Sequence, residues 1–389
     1  MKILHVCLGE RFVDGYGYQE NILTKLHKQM GYDVFVLAST FTLIDKAPGF
    51  VKPSQYVNEF GIPVRRLPYV SWMPRKLAAK LRLYKGTYNS IEEVAPDIIF
   101  IHEATFMDVK EIARYKKNHN VRVIVDSHTD YINSGRNWLS MNVLHKIIYR
   151  WCYQQVVPIA EKFFGTLPIR NLYLKDVYHV PEEKIELLPM GIDLSGLKNF
   201  NRMSVRNEMR TKLGYSEEDF VIVTGGKLEK RKNTIELIKA VSAIEDSHVK
   251  LFLFGNIADN IREDAEALLK DNSKVLNWGW VKSEDIYQYL LVGDLCVFPG
   301  THSSIWEQAV GLGLPCVFKH WDSITHIDLE GNCKLIDDTS VSGITDVIME
   351  LRENPSELQK MKDIAEAKGP TVFSYEEIAK RAIGVSLCL

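Results

Sequence analysis

Short apolar runs alternate with longer amphipathic stretches along most of the 389-residue chain. Most of the short runs are apolar at consecutive positions, which is typical of strands covered on both faces. The predicted strands are Ile3–Leu8, Val34–Ala38, Ile98–His102, Val121–Val125, Lys162–Leu167, Ile185–Pro189, Phe220–Thr224, Val249–Phe254, Val275–Trp278, Leu295–Pro299 and Cys316–Lys319. Helical spacing is found between them, for example in Gln19–Met30, Asp108–Asn118, Leu139–Val156, Thr234–Ala243 and Ser283–Val292.

This alternation predicts an α/β protein with parallel sheets and helices on both faces. The pattern restarts with a new strand after a polar stretch, so we place a boundary near residue 195. Two Rossmann-like domains result, residues 1–195 and 196–372, and the last helix, about 375–386, could pack on either. Ligands of such sheets bind beyond the carboxyl ends of the strands. We therefore expect a ligand cleft between two facing domains.

The net charge and the cysteine content argue against several classes of function. The formal net charge is -2, which argues against a general nucleic-acid binder. The six cysteines are scattered without a CxxC pair, which favours a reducing compartment over a zinc ribbon or disulfide framework. Neither a signal peptide nor an apolar run of membrane-spanning length is evident. We expect a cytoplasmic protein.

The segment Gly225–Thr234 links a predicted strand to a predicted helix. Asn233 and Glu236 have the spacing of a capping box, so the helix is expected to begin there. Three cations, Lys230–Lys232, precede this positive helix end, an arrangement that an anion would stabilise. Gly226 with Lys227 and Lys232 is thus a candidate diphosphate cradle, and a solvated basic loop is the alternative.

A second small-residue loop, Pro299–Ser304, also follows a strand and precedes a helix. Ser304 and Glu307 fit another capping box, which is one possible role for Glu307. The competing role is a carboxylate that accepts both hydroxyl groups of a ribose. His302, Ser303 and Ser304 would then turn their polar groups toward phosphate or sugar.

Two weaker signals lie in the first half. Gly15 and Gly17 follow the first strand, where glycine allows close approach of the backbone to a ligand. His128 follows the strand that ends near Val125, and it is either a ligand-facing group or a structural histidine. Paired carboxylates in an Asp-x-Asp motif do not occur, nor do a Walker-type phosphate loop or an HExxH pair. We expect no metal and no separate cofactor, with a diphosphate neutralised by Lys, Arg and helix ends.

The segment Tyr69–Lys85 contains five Lys or Arg and no acidic residue. If Pro74 opens a helix, Leu77, Leu81 and Tyr84 share one face and the cations surround it. Such a segment can lie in the headgroup layer of an anionic membrane. The alternative is an ordinary amphipathic helix packed on the first sheet.

The order of these motifs resembles the family-4 retaining glycosyltransferases of GT-B fold along nearly the whole chain. The resemblance runs through Gly15 and Gly17, Gly31–Val34, Pro189–Asp193, Gly226–Leu228, Gly279–Val281 with Trp280, and Glu307–Pro315. It implies a nucleotide-sugar donor, retention of configuration, and a glycan, lipid-linked or small-molecule acceptor. It also implies that the last helix returns to the first domain.

The resemblance assigns roles to particular residues. Lys227 and Lys232 match the positions that hold the donor diphosphate, Glu307 matches the ribose-binding carboxylate, and His128 matches the cleft-facing histidine. One departure concerns the first carboxylate of the family's Glu-x7-Glu motif, because Pro299 stands in its place. His302 and Ser303 are candidates to replace it at the donor sugar.

Two alternatives remain beside the transferase. One is a nucleotide-sugar epimerase on a similar pair of domains, which would need acid/base carboxylates in the cleft. The other is a non-catalytic paralogue that binds nucleotide sugar within a polysaccharide assembly system. Retention of both Lys227 and Lys232 argues against the second alternative, because an inactive copy has no need of phosphate-binding side chains.

Overall fold

The computed structural model describes residues 1–44, 47–195 and 201–384. The chain folds into two compact units: Met1–Pro189 with the segment from Ile378 on, and Met190–Glu377. The division falls a few residues before the boundary expected near 195. The reason is that Ile192 already belongs to the second unit, where its N–H donates to the Phe373 carbonyl over 2.8 Å.

The first unit contains an eight-stranded sheet in the order β10-β9-β8-β7-β1-β2-β6-β5, parallel except for β5, and an antiparallel β3–β4 hairpin. Its strands are β1 Lys2–Cys7, β2 Asp33–Ser39, β3 Phe41–Ile44, β4 Ala47–Phe50, β5 Ser54–Val57, β6 Pro63–Leu67, β7 Ile98–His102, β8 Arg122–Ser127, β9 Lys162–Gly165 and β10 Ile185–Leu187. Its helices are α1 Gln19–Gln29, α2 Arg75–Leu81, α3 Thr87–Val94, α4 Val109–Asn118, α5 Arg150–Val156 and α6 Pro168–Asp176. A π-helical segment, Ser140–Tyr149, runs directly into α5.

The second unit contains a six-stranded parallel sheet in the order β13-β12-β11-β14-β15-β16. Its strands are β11 Phe220–Gly225, β12 Val249–Phe254, β13 Val275–Asn277, β14 Leu295–Phe298, β15 Cys316–Lys319 and β16 Cys333–Ile336. The helices are α7 Arg202–Leu213, α8 Thr234–Ala243, α9 Arg262–Leu269, α10 Ile286–Leu290, α11 Ile305–Gly311, α12 Val341–Glu353, α13 Pro355–Val372 and α14 Tyr375–Ala382. Both sheets are covered by apolar clusters on their two faces.

The end of α14 lies in the first unit. A ring nitrogen of His27, Nε2, lies 2.8 Å from the Ala379 carbonyl oxygen, and Arg122 donates to the Ile383 carbonyl over 2.9 Å. The part of the expected last helix beyond residue 384 lies outside the described residues. Within the described ranges, no helix combines the length and the apolarity needed to cross a bilayer.

The helix expected from Pro74 onward is shorter than the sequence suggested. α2 ends at Leu81 because Arg82 adopts a left-handed conformation with a φ of 52°. Tyr84 is therefore not on a shared face with Leu77 and Leu81. It is buried and forms an isolated antiparallel bridge with Tyr69.

Glu103, the residue after β7, organises the loop that follows the neighbouring strand β8. Its carboxylate accepts hydrogen bonds from Ser127 Oγ (3.1 Å), His128 N–H (3.0 Å), Thr129 Oγ1 (2.8 Å) and Tyr153 OH (2.6 Å). Glu103 is itself buried and adopts a φ of 62°. Gly9 permits this arrangement, because a Cβ there would lie 1.7 Å from the Glu103 carbonyl oxygen.

Replacing Glu103 by Gln should lower the free energy of unfolding by about 1–3 kcal/mol, because an amide NH2 cannot accept the bonds that one carboxylate oxygen accepts. Urea unfolding followed by circular dichroism measures this change. The matched control is Glu186→Gln, which removes only an exposed ion pair with Lys162 and should cost less than about 1 kcal/mol. Equal losses in the two variants would contradict the organising role of Glu103.

Candidate active site

In the second unit, the loops after β11 and β14 are bound to each other. Asn233 donates from Nδ2 to the Pro299 carbonyl (2.8 Å), and the Thr301 N–H donates to the Arg231 carbonyl (2.9 Å). Gly300 is required between them, since a Cβ there would lie 2.3 Å from the Lys232 Cα. Asn233 caps nothing with its side chain, so the expected capping box with Glu236 is wrong, although α8 does begin at Thr234.

Lys232 is held at this junction by its ammonium group. Nζ donates to the carbonyl oxygens of Thr301 and of His302, the latter over 3.0 Å. Burial lowers the pKa of Lys232 to about 8, because desolvation disfavours the charged form. The ammonium group is thus fixed beside the loop Pro299–Ser304, with its charge only partly offset by neutral oxygens.

The basic turn before α8 contains its own counter-charge. Lys230–Lys232 form a single 3-10 turn, and Glu229 pairs with Arg231 (3.0 Å) and with Lys227 (3.5 Å). The charges crowded at this helix start are therefore partly balanced without any ligand. Lys227 keeps a largely exposed side chain beside a cavity of about 790 Å³, which Gly255 and Gly279 also line.

Glu307, in the first turn of α11, is fully buried and bound by two histidines. Its Oε1 lies 2.8 Å from His302 Nε2 and 2.9 Å from His326 Nε2, while Oε2 has no hydrogen bond within the described residues. Burial raises the pKa of Glu307, but the two histidines outweigh it and the net pKa is well below its usual range. The expected capping box with Ser304 is wrong, because the Glu307 side chain points to the histidines instead.

His302, Glu307 and His326 also form a group of metal-ligating side chains whose ligand atoms lie within 4.8 Å of one another. Both Nε2 atoms are at hydrogen-bond distance from the same oxygen, as expected for N–H donors to a carboxylate. A nitrogen that carries hydrogen cannot bind a metal at the same time. The prediction that no metal is needed is based on the absence of an Asp-x-Asp pair from the sequence, and it remains a prediction.

The other predicted donor residues lie at the same sheet edge of the second unit. Gly226 has a φ of 98°, which glycine adopts without strain, and Ser303 and Ser304 precede α11. Trp280 follows Gly279 after β13, and its ring is largely exposed. α11 has only seven residues, so its dipole contributes less than the two lysines.

Gly15 and Gly17, also predicted to bind donor, lie in the first unit together with His128. Gly15 has a φ of 77°, and its N–H donates to Glu59 Oε1 over 2.7 Å. That amide is therefore already occupied. Gly15 and Gly17 thus belong to a different unit from Lys227 and Lys232, and their role in donor binding remains a prediction.

His128 lies beyond the end of β8, beside a buried carboxylate. Its Nε2 is 3.8 Å from Asp126 Oδ2, which is an ion-pair distance and too long for a hydrogen bond. Burial lowers the pKa of His128, but Asp126 outweighs burial and the net pKa is raised. Sequence reasoning assigned no role to Asp126, Glu103 or His326. Glu103 and His326 act through partners distant in the chain, whereas Asp126 precedes His128 by two residues and only its contact with His102 is distant.

The chain matches two models of known protein families. Residues 20–195 match the family model for Glycosyltransferase Family 4, and residues 205–368 match that for Glycosyl transferases group 1. EpsD of Bacillus subtilis strain 168, assigned as a glycosyltransferase, is 25% identical over 300 residues, covering 75% of this chain and 69% of EpsD. The alpha-monoglucosyldiacylglycerol synthase of Acholeplasma laidlawii is 22% identical over 339 residues, covering 81% of each chain.

Among solved structures, Anabaena HepE in complex with UDP superimposes with a TM-score of 0.68 at 16% identity, covering 99% of both chains. At this identity the similarity establishes the fold alone, and that fold is GT-B. The two family matches follow one another in order and together span most of the chain. The chain therefore belongs to the glycosyltransferases of GT-B fold that join a Family 4 domain to a group 1 domain.

Proposed function

We propose that this glycosyltransferase moves a sugar from a nucleotide-diphosphate donor to a glycan or lipid-linked acceptor, with retention of configuration and without a metal ion. The observation that carries the proposal is the pair of loops after β11 and β14. They hold the Lys232 ammonium group at the strand ends, with Lys227 at the neighbouring cavity. Parallel sheets bind nucleotides at this edge.

In the proposed reaction, the enzyme must stabilise the negative charge that develops on the departing diphosphate. Lys227 and Lys232 are the proposed groups that stabilise it. Lys232 is partly buried and fixed by two carbonyl oxygens, so its charge needs little reorganisation, whereas Lys227 reaches the diphosphate from an exposed position. Glu307 is the proposed ribose acceptor. His302 and His326 already occupy its Oε1, so the ribose hydroxyl would bind Oε2, and a neighbouring side chain must move to expose that buried oxygen.

A separate cavity of about 450 Å³ in the first unit is the proposed acceptor pocket. Its walls are rich in aromatic rings and cations: Phe41, Phe50, Tyr69, Tyr84, Tyr149, Arg11, Lys80 and Arg82. Aromatic faces suit the apolar faces of sugars, and guanidinium and ammonium groups suit the phosphate of a lipid-linked acceptor. His128, on the same unit, is the proposed contact to the reacting sugar.

A donor screen tests the proposed reaction directly. Purified protein incubated with nucleotide sugars and a lipid-linked or free glycan acceptor should release nucleoside diphosphate only in the complete mixture. Release should persist in EDTA, because no metal takes part in the proposed charge stabilisation. Loss in EDTA with recovery on Mg²⁺ or Mn²⁺ would contradict metal independence, and isomerisation of the donor without release would favour the epimerase.

Diphosphate binding should weaken as the pH rises through about 8, where Lys232 loses its charge. Below that pH the ammonium group is present and binding is full; above it, affinity can fall by up to about tenfold per pH unit. Isothermal titration with the nucleoside diphosphate from the screen measures this. Lys232→Ala should weaken binding about tenfold or more at pH 7 and flatten the pH dependence.

The matched control is Lys230→Ala, which removes an exposed cation of the same turn and should change the affinity less than about threefold. If Lys230→Ala and Lys232→Ala weaken binding equally, the diphosphate responds to general surface charge, and the assigned role of Lys232 is wrong. If neither Lys227→Ala nor Lys232→Ala changes the affinity for the diphosphate, the assignment of the diphosphate site to this edge of the sheet is wrong.

We further propose that the first unit attaches peripherally to an anionic membrane. Ala78 is the one fully buried residue of α2, while Trp72 is 73% and Leu77 46% exposed. This packing is too slight for an ordinary core helix. Of the five cations, Arg75 stacks over Phe50 and Arg82 is bound to Thr105, which leaves Lys76, Lys80 and Lys85 exposed.

Further exposed apolar side chains lie on the same unit. Trp138, Leu139 and Ile147 are each more than half exposed; the first two precede the π-helical stretch and Ile147 lies within it. The Arg82 guanidinium lies 5.4 Å above the Tyr149 ring, so this stretch and the end of α2 are neighbours. Clustered exposed aromatic and aliphatic side chains mark interaction surfaces, including membrane surfaces.

Sedimentation with anionic vesicles at low salt should carry the protein into the pellet, and neutral vesicles should not. Charge reversal to Glu at Lys76, Lys80 and Lys85 should abolish binding, since each exposed cation contributes about 1 kcal/mol near an anionic surface. The control reverses three exposed lysines of the second unit, Lys230, Lys239 and Lys270, and should still bind. Equal loss of binding in both variants would indicate an effect of net charge and would contradict the assignment of this surface to membrane binding.

A further inference from the structure

Three buried histidines of the first unit form a continuous chain of hydrogen bonds. His27 Nε2 lies 2.8 Å from the Ala379 carbonyl oxygen, and His27 Nδ1 lies 3.0 Å from His5 Nε2. His5 Nδ1 lies 2.9 Å from His102 Nε2, and His102 Nδ1 lies 2.9 Å from Asp126 Oδ2. All three imidazoles and Asp126 are inaccessible to solvent.

Both ends of this chain are hydrogen-bond acceptors. A peptide carbonyl carries no hydrogen, and an ionised carboxylate carries none either. Four contacts link the five groups, and each contact needs one hydrogen to be a hydrogen bond. Three neutral imidazoles supply only three hydrogens, one each. With an ionised Asp126 and neutral histidines, one of the four short contacts would pair two acceptors in a buried site, which is unfavourable because neither group then has a hydrogen bond.

We propose that the chain holds one proton more than three neutral imidazoles supply, that this proton resides on His102 as an imidazolium paired with the Asp126 carboxylate, and that the pair positions His128. The chain remains neutral overall, because the one added positive charge lies against the one carboxylate. His5 and His27 are then neutral, each with its hydrogen on Nε2 and directed toward Ala379.

The location of the proton follows from the surroundings. Burial lowers the pKa of His27 to about 4 and that of His5 well below its usual range, so neither holds the charge. His102 alone of the three touches a carboxylate. Although burial raises the pKa of Asp126, contact with His102 and His128 brings it below its usual range, so the carboxylate stays ionised.

Four other ionisable groups near the His102–Asp126 pair lie on α1, β1, α6 and the loop after β1. Glu20 on α1 is buried, and burial raises its pKa to about 7, so it adds at most part of a negative charge. Cys7 on β1 has its pKa raised by burial and stays a neutral thiol. Arg170, on α6, and Glu10, after β1, act on His128 and its surroundings from further away. None of them supplies a hydrogen to the chain of four contacts.

His102 acts on His128 through Asp126. Oδ2 of Asp126 accepts a hydrogen bond from His102 Nδ1 and lies 3.8 Å from His128 Nε2. An imidazolium at His102 keeps Asp126 anionic, and the anion favours a hydrogen on Nε2 of His128, the ring nitrogen that lies 3.8 Å from it. His102 is therefore a positioning residue that touches no substrate. This step rests on the proposed role of His128 in glycosyl transfer.

Side-chain ¹⁵N spectroscopy of the full-length protein tests where the proton is, independently of activity. At pH 7.5, His102 should show both ring nitrogens protonated, while His5 and His27 show the neutral form with hydrogen on Nε2. Single His→Gln variants assign the signals. A neutral His102 beside a protonated Asp126 carboxyl group, seen by ¹³C, would overturn the proposal, as would an imidazolium at His5 or His27.

A kinetic comparison tests the positioning role. His102→Gln can still donate an amide hydrogen to Asp126 but cannot carry a charge, so kcat should fall about tenfold or more while the donor KM changes less than about twofold. The acid limb of the kcat–pH profile should also move. An unchanged kcat and pH profile would overturn the positioning role. Because the spectra of the wild-type protein need no turnover, a protein with no transferase activity would still confirm or refute the proton location.

Discussion

Parallel strands that are covered on both faces leave polar side chains few places other than the strand ends. Both sheets of this protein obey that constraint, and its chemical groups collect where the strands stop. Lys232 and the loop Pro299–Ser304 lie beyond β11 and β14, while Glu103 and His128 lie beyond β7 and β8. Each site is thus a pair of neighbouring strand ends whose loops are bound together by hydrogen bonds that cross from one loop to the other.

The two units solve the same electrostatic problem in different ways. In the second unit, the partly buried ammonium group of Lys232 donates to neutral carbonyl oxygens and a buried carboxylate, Glu307, accepts from two histidines. In the first unit, one buried carboxylate, Glu103, is satisfied by four neutral donors, and another, Asp126, by an imidazole. A charge taken out of water must be compensated by hydrogen bonds and counter-charge, so these partners matter to the fold as much as to the chemistry.

The histidine within β1 is the exception to the rule about strand ends. His5 lies inside β1 and His102 is the last residue of β7, and both are tolerated among apolar neighbours because each ring nitrogen has a partner. Their chain also runs to Ala379 at the end of the polypeptide. The return of the last helix to the first unit therefore completes a buried polar network as well as an apolar surface.

The sequence by itself determined the fold class, the two-unit plan and most strands, because consecutive apolar runs reflect burial on both faces wherever they occur. It also placed Lys232 and Glu307 at strand–loop–helix transitions, since such transitions are local features. It missed the β3–β4 hairpin, β5, β6 and β16, which are strands of only four or five residues without a clear period. Only the tertiary structure decided that Asn233 and Glu307 do not cap their helices, because a side chain near a helix start takes whichever partner lies closest in space. Those partners, Pro299 and Thr339 for Asn233 and His326 for Glu307, come from other parts of the chain. The same is true of the histidine chain, whose members are separated by up to hundreds of residues and meet only when the sheet assembles.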